Sequence, residues 1–239
     1  MVLGEDNKPQ KYAVKLFRDY HLNQYPAIAN EVFGAVLAEQ FDLQTPPLAF
    51  VEFLPEFIET LAPPQRAQLA AGPPGPKIGS AFLDGCFDYS PALHGGALEP
   101  YDLATVYGFD NLILNVDRRV GKPNLLFRAH QPYLIDHEMS LSVAPTRIQQ
   151  LREQRWEHDC TKHVFHPYLR RQSAHQISRA FHTFGQYLRG LNPAKLAPYQ
   201  HQLTHWRYAH PDFETLLRYL SYQKAHASQF EELLKRTLL

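Results

Sequence analysis

The chain of 239 residues is poor in cysteine and has no long hydrophobic run. Its two cysteines, Cys86 and Cys160, cannot form a disulfide framework, so we expect a protein of the reducing cytoplasm. No run approaches the roughly 18 apolar residues of a membrane span, and the polar start MVLGEDNKPQKY lacks the apolar stretch of a signal peptide. The 44% of hydrophobic residues excludes intrinsic disorder and indicates a globular protein.

The chain also lacks net charge, with 24 Lys+Arg against 24 Asp+Glu. This balance hides an asymmetry: residues 1–144 carry 10 basic and 17 acidic residues, whereas residues 145–239 carry 14 and 7. A zero total argues against a general nucleic-acid binder. The basic half has three interpretations: ordinary charged helix exteriors, a docking face for an acidic protein partner, or a docking face for nucleic acid, which no aromatic-basic motif supports strongly. Its densest residues are Arg152, Arg155, Arg170 and Arg171.

Apolar periodicity predicts a small mixed β/α part followed by a larger helical part, an α+β fold class. Strands are predicted at 11–18, 48–54 and 77–83, with a hairpin formed by 124–129 and 133–139 around His130-Gln131-Pro132. Helices are predicted at 27–43, 101–115, 146–157, 166–190, 194–206 and 211–236. The stretch 62–77 is rich in Pro and Gly and is predicted to be a loop.

Five residues of this pattern match the needs of phosphoryl transfer from a nucleotide. Lys15 on the first strand can hold the phosphates, and Glu31 near the start of the next helix can hold Lys15. Asn124 and Asp136 flank the hairpin and offer the hard oxygen ligands that magnesium prefers. Asp117, in the loop NVDRRVGKPNLLF, is then free to accept the proton of an attacking hydroxyl.

Each of these residues also has a simpler interpretation. Lys15 could be a solvated edge-strand lysine, and Glu31 a carboxylate favoured by the helix dipole. Asp117 could be a turn residue paired with one of the two arginines that follow it, and Asn124 could shape a turn. Asp136 is the hardest to explain this way, because a carboxylate in the apolar run YLID needs a partner or a metal.

Two histidine clusters offer a second kind of chemistry. Four candidate zinc ligands fall within nine residues, but their spacing matches no closed zinc site: His158, Cys160, His163 and His166. His201 and His205 are four residues apart but lack the glutamate of a zinc protease motif. Surface histidines at a helix end are the preferred interpretation of these clusters.

The combination of motifs resembles the HipA-like kinases, within the wider protein-kinase-like core. The similar segments are YAVK, NEVFGAVLAEQFDLQTPP, IGSAFLDG, NVDRRVGKPNLL and LIDHEMSL, and the resemblance covers roughly residues 11–142. It implies a bilobal kinase fold with an N-lobe at 1–85, a helical C-lobe at 86–239 and ATP in the cleft. The acceptor it implies is a hydroxyl group, above all a protein Ser or Thr.

The resemblance also implies roles for individual residues. Lys15 would contact the phosphates and pair with Glu31, and Asp117 would be the catalytic carboxylate. Asn124 and Asp136 would hold magnesium. The hinge at 80–85 would contact adenine through backbone groups of Ala81, Phe82 and Leu83.

Several departures from the protein-kinase pattern leave activity open. Asn124 lies seven residues after Asp117 instead of five, and His137-Glu138 replaces Phe-Gly, so no Phe-driven switch is expected. Gly4 is the only glycine before Lys15, and the ten residues before KYAVK leave hardly any room for the strand pair of a glycine-rich loop. Either the chain begins late, or the phosphate lid is missing, or another segment supplies it. The alternatives are a nucleotide-binding pseudokinase and a non-enzymatic interaction module that uses the basic helical half.

Overall fold

A computed structural model describes residues 2–3, 9–17, 22, 26–90, 102–128, 131–156 and 158–239, and the structural statements below refer to these residues. The fold is mixed α+β, as the sequence predicts. None of the helices in the described ranges has the length and apolar character needed to cross a membrane.

The strands form small antiparallel sheets. A two-stranded sheet pairs β1 (Val2–Leu3) with β2 (Pro9–Gln10). A three-stranded sheet has the order β3-β5-β4 and contains β3 (Tyr12–Val14), β4 (Leu48–Val51) and β5 (Lys77–Ala81). Another has the order β6-β7-β8 and contains β6 (Phe87–Asp88), β7 (Leu125–Arg128) and β8 (Gln131–Leu134).

The helices dominate the second half of the chain. In chain order they are α1 (Ala27–Glu39), α2 (Pro55–Thr60), α3 (Pro63–Ala70), α4 (Leu103–Leu112), α5 (Arg147–Arg152), α6 (His166–Leu169), α7 (Ala174–Gly190), α8 (Ala197–His205), α9 (Phe213–Ala225) and α10 (Ala227–Arg236). A 3-10 turn at Pro193–Leu196 leads into α8.

One hydrophobic core joins the sheets to the helices and fixes the parts of the site relative to one another. Phe41, just after α1, packs against Phe109 of α4 and Phe184 of α7, each with 5.5 Å between ring centroids. The backbone N–H of Leu134 donates to the carbonyl oxygen of Gln44, 2.8 Å away. Helix α1 and the β7–β8 hairpin are therefore anchored to the same core.

The structure corrects several predicted elements. The predicted loop at 62–77 is wrong for its first half, which is α3, and α2 was not predicted. Both helices have a proline in their first turn, where its fixed φ favours a helix start instead of a break. The predicted helices 166–190 and 211–236 are each two helices. Ser173 caps α7 by accepting from the N–H of Gln176, and the second break is at His226.

A strand pair does precede Lys15. Val2 pairs with Gln10 and Leu3 with Pro9, so the expectation of hardly any room for two strands here was wrong. Residues 4–8, which connect these strands, lie outside the described residues, as does the predicted turn residue His130.

Candidate active site

A cavity of about 410 Å³ lies between the β3-β5-β4 sheet, α1 and the β7–β8 hairpin. Its apolar wall includes Ala13, Leu48, Ile78, Leu126 and Leu134. Its polar lining includes Lys15, Glu31, Asp136 and His137. The cavity thus has an apolar wall and a charged part, and predicted site residues line both.

Lys15 directly follows β3 and points into this cavity. Its backbone N–H donates to the carbonyl oxygen of Ile78 at 3.0 Å, which extends the pairing with β5. Its Nζ donates to Glu31 Oε1 and, at 2.7 Å, to Asp136 Oδ1. Its side chain is 33% exposed, so Lys15 is no solvated edge lysine. Burial alone would lower its pKa, but the charges of Glu31 and Asp136 outweigh burial and raise it.

Glu31 lies in the buried part of α1. Burial raises the pKa of its carboxyl, while the ammonium of Lys15 opposes that change. The structure therefore pairs Glu31 with Lys15 across 16 residues of sequence, which a helix-dipole role alone would not require.

Asp117 is buried in the loop that follows α4, with three polar neighbours. Its Oδ2 accepts from Lys122 Nζ and, at 3.2 Å, from Asn124 Nδ2. Arg119 is more distant, with Nε 3.8 Å from Oδ1. Lys122 Nζ also lies 2.9 Å from Asp136 Oδ2, so one ammonium bridges two of the predicted site carboxylates. Burial acts to lower the pKa of Lys122, but hydrogen bonds to Asp117 and Asp136 raise it overall.

Asn124 directly precedes β7, and Asp136 lies two residues after the end of β8, so both are at the open end of the β7–β8 hairpin. The N–H of Ile135 donates to the carbonyl oxygen of Asn124 at 3.1 Å, which brings the two ends together. Both residues have left-handed backbone, with φ of 51° and 64°. Asn and Asp tolerate this conformation better than most residues, so the residue types that suit magnesium also suit the backbone here.

Arg118 does not line the cavity, and it holds the loop in place through hydrogen bonds to α4 and to the β7–β8 hairpin. Its buried Nε donates to Asp110 Oδ2 at 2.6 Å. Its Nη1 donates to the carbonyl oxygens of Asn124 and Ile135, the latter at 3.3 Å. The guanidinium thus ties α4 to both ends of the hairpin, next to Asn124 and Asp136. The charge of Arg118 keeps the pKa of Asp110 low although burial opposes this.

The family model for HipA-like kinases matches residues 3–223. The chain belongs to the HipA-like kinase family. No curated protein and no solved structure matches it. The family match includes every site residue named above and extends well beyond the 11–142 resemblance found by motif. Family membership suggests a kinase-like phosphotransferase.

Glu138 was not predicted from the sequence, although the structure makes it a candidate metal ligand. Carboxylate oxygens of Glu31, Asp136 and Glu138 lie within 4.8 Å of one another. Glu138 Oε2 is also 3.6 Å from Lys15 Nζ. Burial acts to raise the pKa of Asp136, but Lys15 and Lys122 hold it well below its usual range, so this carboxylate is charged. The available signal was the acidic residue two positions after Asp136 in LIDHE.

His137, which the sequence resemblance places at the Phe position of protein kinases, is fully enclosed in the structure. Its Nε2 lies 3.3 Å from Arg118 Nη2. A Cβ added to Gly34 of α1 would lie only 2.6 Å from the Cβ of His137, so His137 packs directly against α1. Burial, assisted by the charge of Arg118, lowers the pKa of His137 to about 3, so it is neutral. The ring therefore serves as a packed, uncharged link between α1 and the Asp136 segment.

The predicted hinge residues Ala81, Phe82 and Leu83 have few free backbone donors. The N–H of Ala81 donates to the carbonyl oxygen of Pro47 and that of Phe82 to Lys11, both at 2.8 Å. The N–H of Leu83 has no partner within the described part of the chain. All three residues line the cavity, and Leu83 is the one whose amide remains available.

The alternative zinc ligands have other partners and do not form a common cluster within the described ranges. Cys160 Sγ donates to Asn111 Oδ1 at 2.6 Å, and His163 Nε2 lies 2.9 Å from Asp110 Oδ2. His166 Nε2 lies 3.1 Å from the carbonyl oxygen of Thr237. These three side chains are buried and pack the helical part, so the interpretation of this cluster as surface histidines was wrong for His163 and His166.

Proposed function

We propose that this HipA-like kinase binds ATP with magnesium in the 410 Å³ cavity and phosphorylates a Ser or Thr hydroxyl of a protein. The observation that carries the proposal is the convergence of Lys15, Asp117, Asn124 and Asp136. They come from three separate parts of the chain and meet through direct hydrogen bonds and through the shared ammonium of Lys122.

The residues present fit a magnesium nucleotide. The cavity volume lies within the range of small-molecule sites, and its apolar wall suits a flat purine ring. The amide oxygen of Asn124 and the carboxylate of Asp136 are hard oxygen donors of the kind magnesium prefers, and Glu138 lies beside Asp136. The amide of Leu83 would contact the adenine edge.

Each residue then has a defined role. When bound, magnesium would neutralise phosphate charge, and Asn124 and Asp136 would hold it. Lys15 would turn its ammonium from Asp136 to the phosphates while staying paired with Glu31. Asp117 would accept the proton of the acceptor hydroxyl. The hydroxyl oxygen would form a bond to the γ-phosphorus while the bond between that phosphorus and the bridging oxygen of ADP breaks.

Asp117→Asn tests the catalytic role, because the amide keeps the size of the side chain but cannot take the proton. We expect ATP binding with magnesium, measured by calorimetry, to change less than three-fold. Transfer of radiolabelled phosphate to a Ser/Thr peptide library should fall about 100-fold or more.

Two results would contradict this proposal. If wild type and Asp117→Asn both bind ATP and both show the same background transfer, the chain is no active kinase. If neither binds ATP, the nucleotide site itself is wrong, and the interaction module becomes the remaining alternative.

A nucleotide-binding pseudokinase is the second candidate. It is favoured by the segment directly before Lys15, since residues 5–14 contain no glycine. The same calorimetry and transfer assay separate it from the active kinase, because a pseudokinase binds ATP without any transfer above background.

A further inference from the structure

A separate cavity of about 430 Å³ lies between helices α2 and α3 and the start of β5. Phe53, Ile58 and Leu69 give it an apolar lining. Arg66 and Lys77 give it two cationic side chains, and no acidic side chain lines it among the described residues. The kinase proposal makes no use of this cavity.

Lys77 is buried here without a counter-charge. The residue is 8% exposed, and its Nζ donates to the carbonyl oxygen of Pro73. No carboxylate lies within ion-pair distance in the described part of the chain, and two of its three N–H donors have no partner there. Burial lowers the pKa of this amine. An ammonium in this position is costly unless an anion accompanies it.

Arg66 is held in place at the edge of the same cavity. Its Nη2 donates to the carbonyl oxygens of Glu59 and Leu61 at 2.9 and 3.1 Å, across the turn between α2 and α3. It also has no carboxylate partner within the described ranges. A guanidinium fixed by backbone carbonyls keeps its other donors oriented for a planar anion such as a carboxylate.

We propose that this cavity binds a small monocarboxylate with an apolar body. The carboxylate would pair with Lys77 and Arg66, and the apolar body would contact Phe53, Ile58 and Leu69. The combination excludes a purely inorganic anion as the best ligand, since such an anion leaves the apolar lining unused. This inference concerns a second site and does not depend on kinase activity.

Calorimetry on the nucleotide-free full chain tests this site, with octanoate as the probe. We expect octanoate to bind at least ten-fold more tightly than 1-octanol, which lacks the charge, and than inorganic phosphate, which lacks the apolar body. Lys77→Met and Arg66→Gln should each weaken octanoate binding about ten-fold, as expected for loss of a charged hydrogen bond. Lys162→Met is the matched control, because the Lys162 side chain is 77% exposed and does not line the cavity.

The proposal is overturned if wild type does not bind octanoate, if phosphate binds as tightly, or if Lys77→Met binds octanoate like wild type. Should Lys77→Met fail to fold, the exposed Arg66→Gln decides by the same criterion. Asp117→Asn should bind octanoate like wild type, so failure of this site and failure of the kinase proposal remain distinguishable.

Discussion

Arg118 shows how a single buried residue positions the site without entering it. Its guanidinium is fully enclosed, and each of its three nitrogens has a partner. A buried charge of this kind stabilises the fold only while its whole set of partners is present. Because two partners are the carbonyls of Asn124 and Ile135, the position of the hairpin ends depends on it.

Arg118→Lys keeps the charge but removes the planar set of donors. One amine cannot reach Asp110, the Asn124 carbonyl and His137 together, so we expect a loss of about 3 kcal/mol in the free energy of unfolding, measured by urea denaturation. Arg119→Lys is the neighbouring control, because the Arg119 side chain is 56% exposed, and it should change stability by less than about 0.5 kcal/mol. Equal losses in the two variants would contradict a special role for Arg118.

Residue types and their order predicted Lys15, Glu31, Asp117, Asn124 and Asp136 as site residues. In the structure Lys15, Glu31 and Asp136 line the cavity, whereas Asp117 and Asn124 lie outside its lining and connect to Asp136 through Lys122. A charged or amide group beside an apolar run needs a partner, and that need is visible in the sequence. Which basic side chain serves as that partner is not visible in the sequence. In DRRVGK three basic residues compete, and the loop path turns Arg118 to Asp110, Arg119 to solvent and Lys122 to the carboxylates.

At the scale of elements, helix α1 and the Asp136 segment approach unusually closely. Asn30 Nδ2 donates to the carbonyl oxygen of Glu138 at 2.8 Å, and Gly34 leaves the space that His137 occupies. This contact holds Glu31 against Lys15 and Asp136. The contact depends on glycine at position 34 of α1, because any side chain there would meet His137.

Gly34→Ala should therefore destabilise the protein, although Ala is the better helix former by about 1 kcal/mol. The added Cβ would lie 2.6 Å from His137 Cβ, so either α1 or the Asp136 segment must move. We expect a clear drop in melting temperature, measured by calorimetric thermal denaturation.

Gly190→Ala at the end of α7 is the control for helix propensity. A Cβ there meets nothing within 4 Å, so the melting temperature should stay the same or rise slightly. A rise of equal size in Gly34→Ala would show that the close approach to His137 does not constrain the fold.

Element types were easier to predict than element ends. Five of the strands (β3, β4, β5, β7 and β8) and helices α1 and α4 follow from their apolar patterns, and the fold class was confirmed. The two-residue strands β1, β2 and β6 were not predicted. The breaks near Ser173 and at His226 were missed, because a local cap and the packing of two short helices decide them rather than a gap in apolar periodicity.

At the scale of the whole molecule, the acidic half and the basic half of the chain differ in what their charged residues contact. Several acidic residues of the first half form the cleft, where Lys15 and Lys122 meet the carboxylates. In the described part of the second half only some of the charge is paired: Arg189 of α7 donates to Glu231 at 2.8 Å, whereas Arg170 and Arg171 are exposed. An acidic protein partner on this basic half, like the cytoplasmic location, stays a prediction.

Histidines of the helical half give the whole molecule a pH-dependent stability. Burial and the nearby charge of Arg147 lower the pKa of His158 to about 4, and burial lowers that of His163. An unfolded histidine binds its proton near pH 6.5. Below that pH the unfolded chain therefore binds more protons than the folded one, and the free energy of unfolding falls as pH falls from 6.5 to about 4.

His158→Gln tests this dependence, since it removes one of the groups that take up a proton only on unfolding. Urea denaturation between pH 7.5 and 4.5 should give a smaller loss of stability for His158→Gln than for wild type. Below pH 6.5 the difference between the free energies of unfolding of wild type and His158→Gln should shrink by up to about 1.4 kcal/mol per pH unit. His201→Gln replaces an exposed histidine of the same half and should keep the wild-type slope. Parallel curves for wild type and His158→Gln would show that His158 takes up its proton equally in both states, and its burial would then carry no pH dependence.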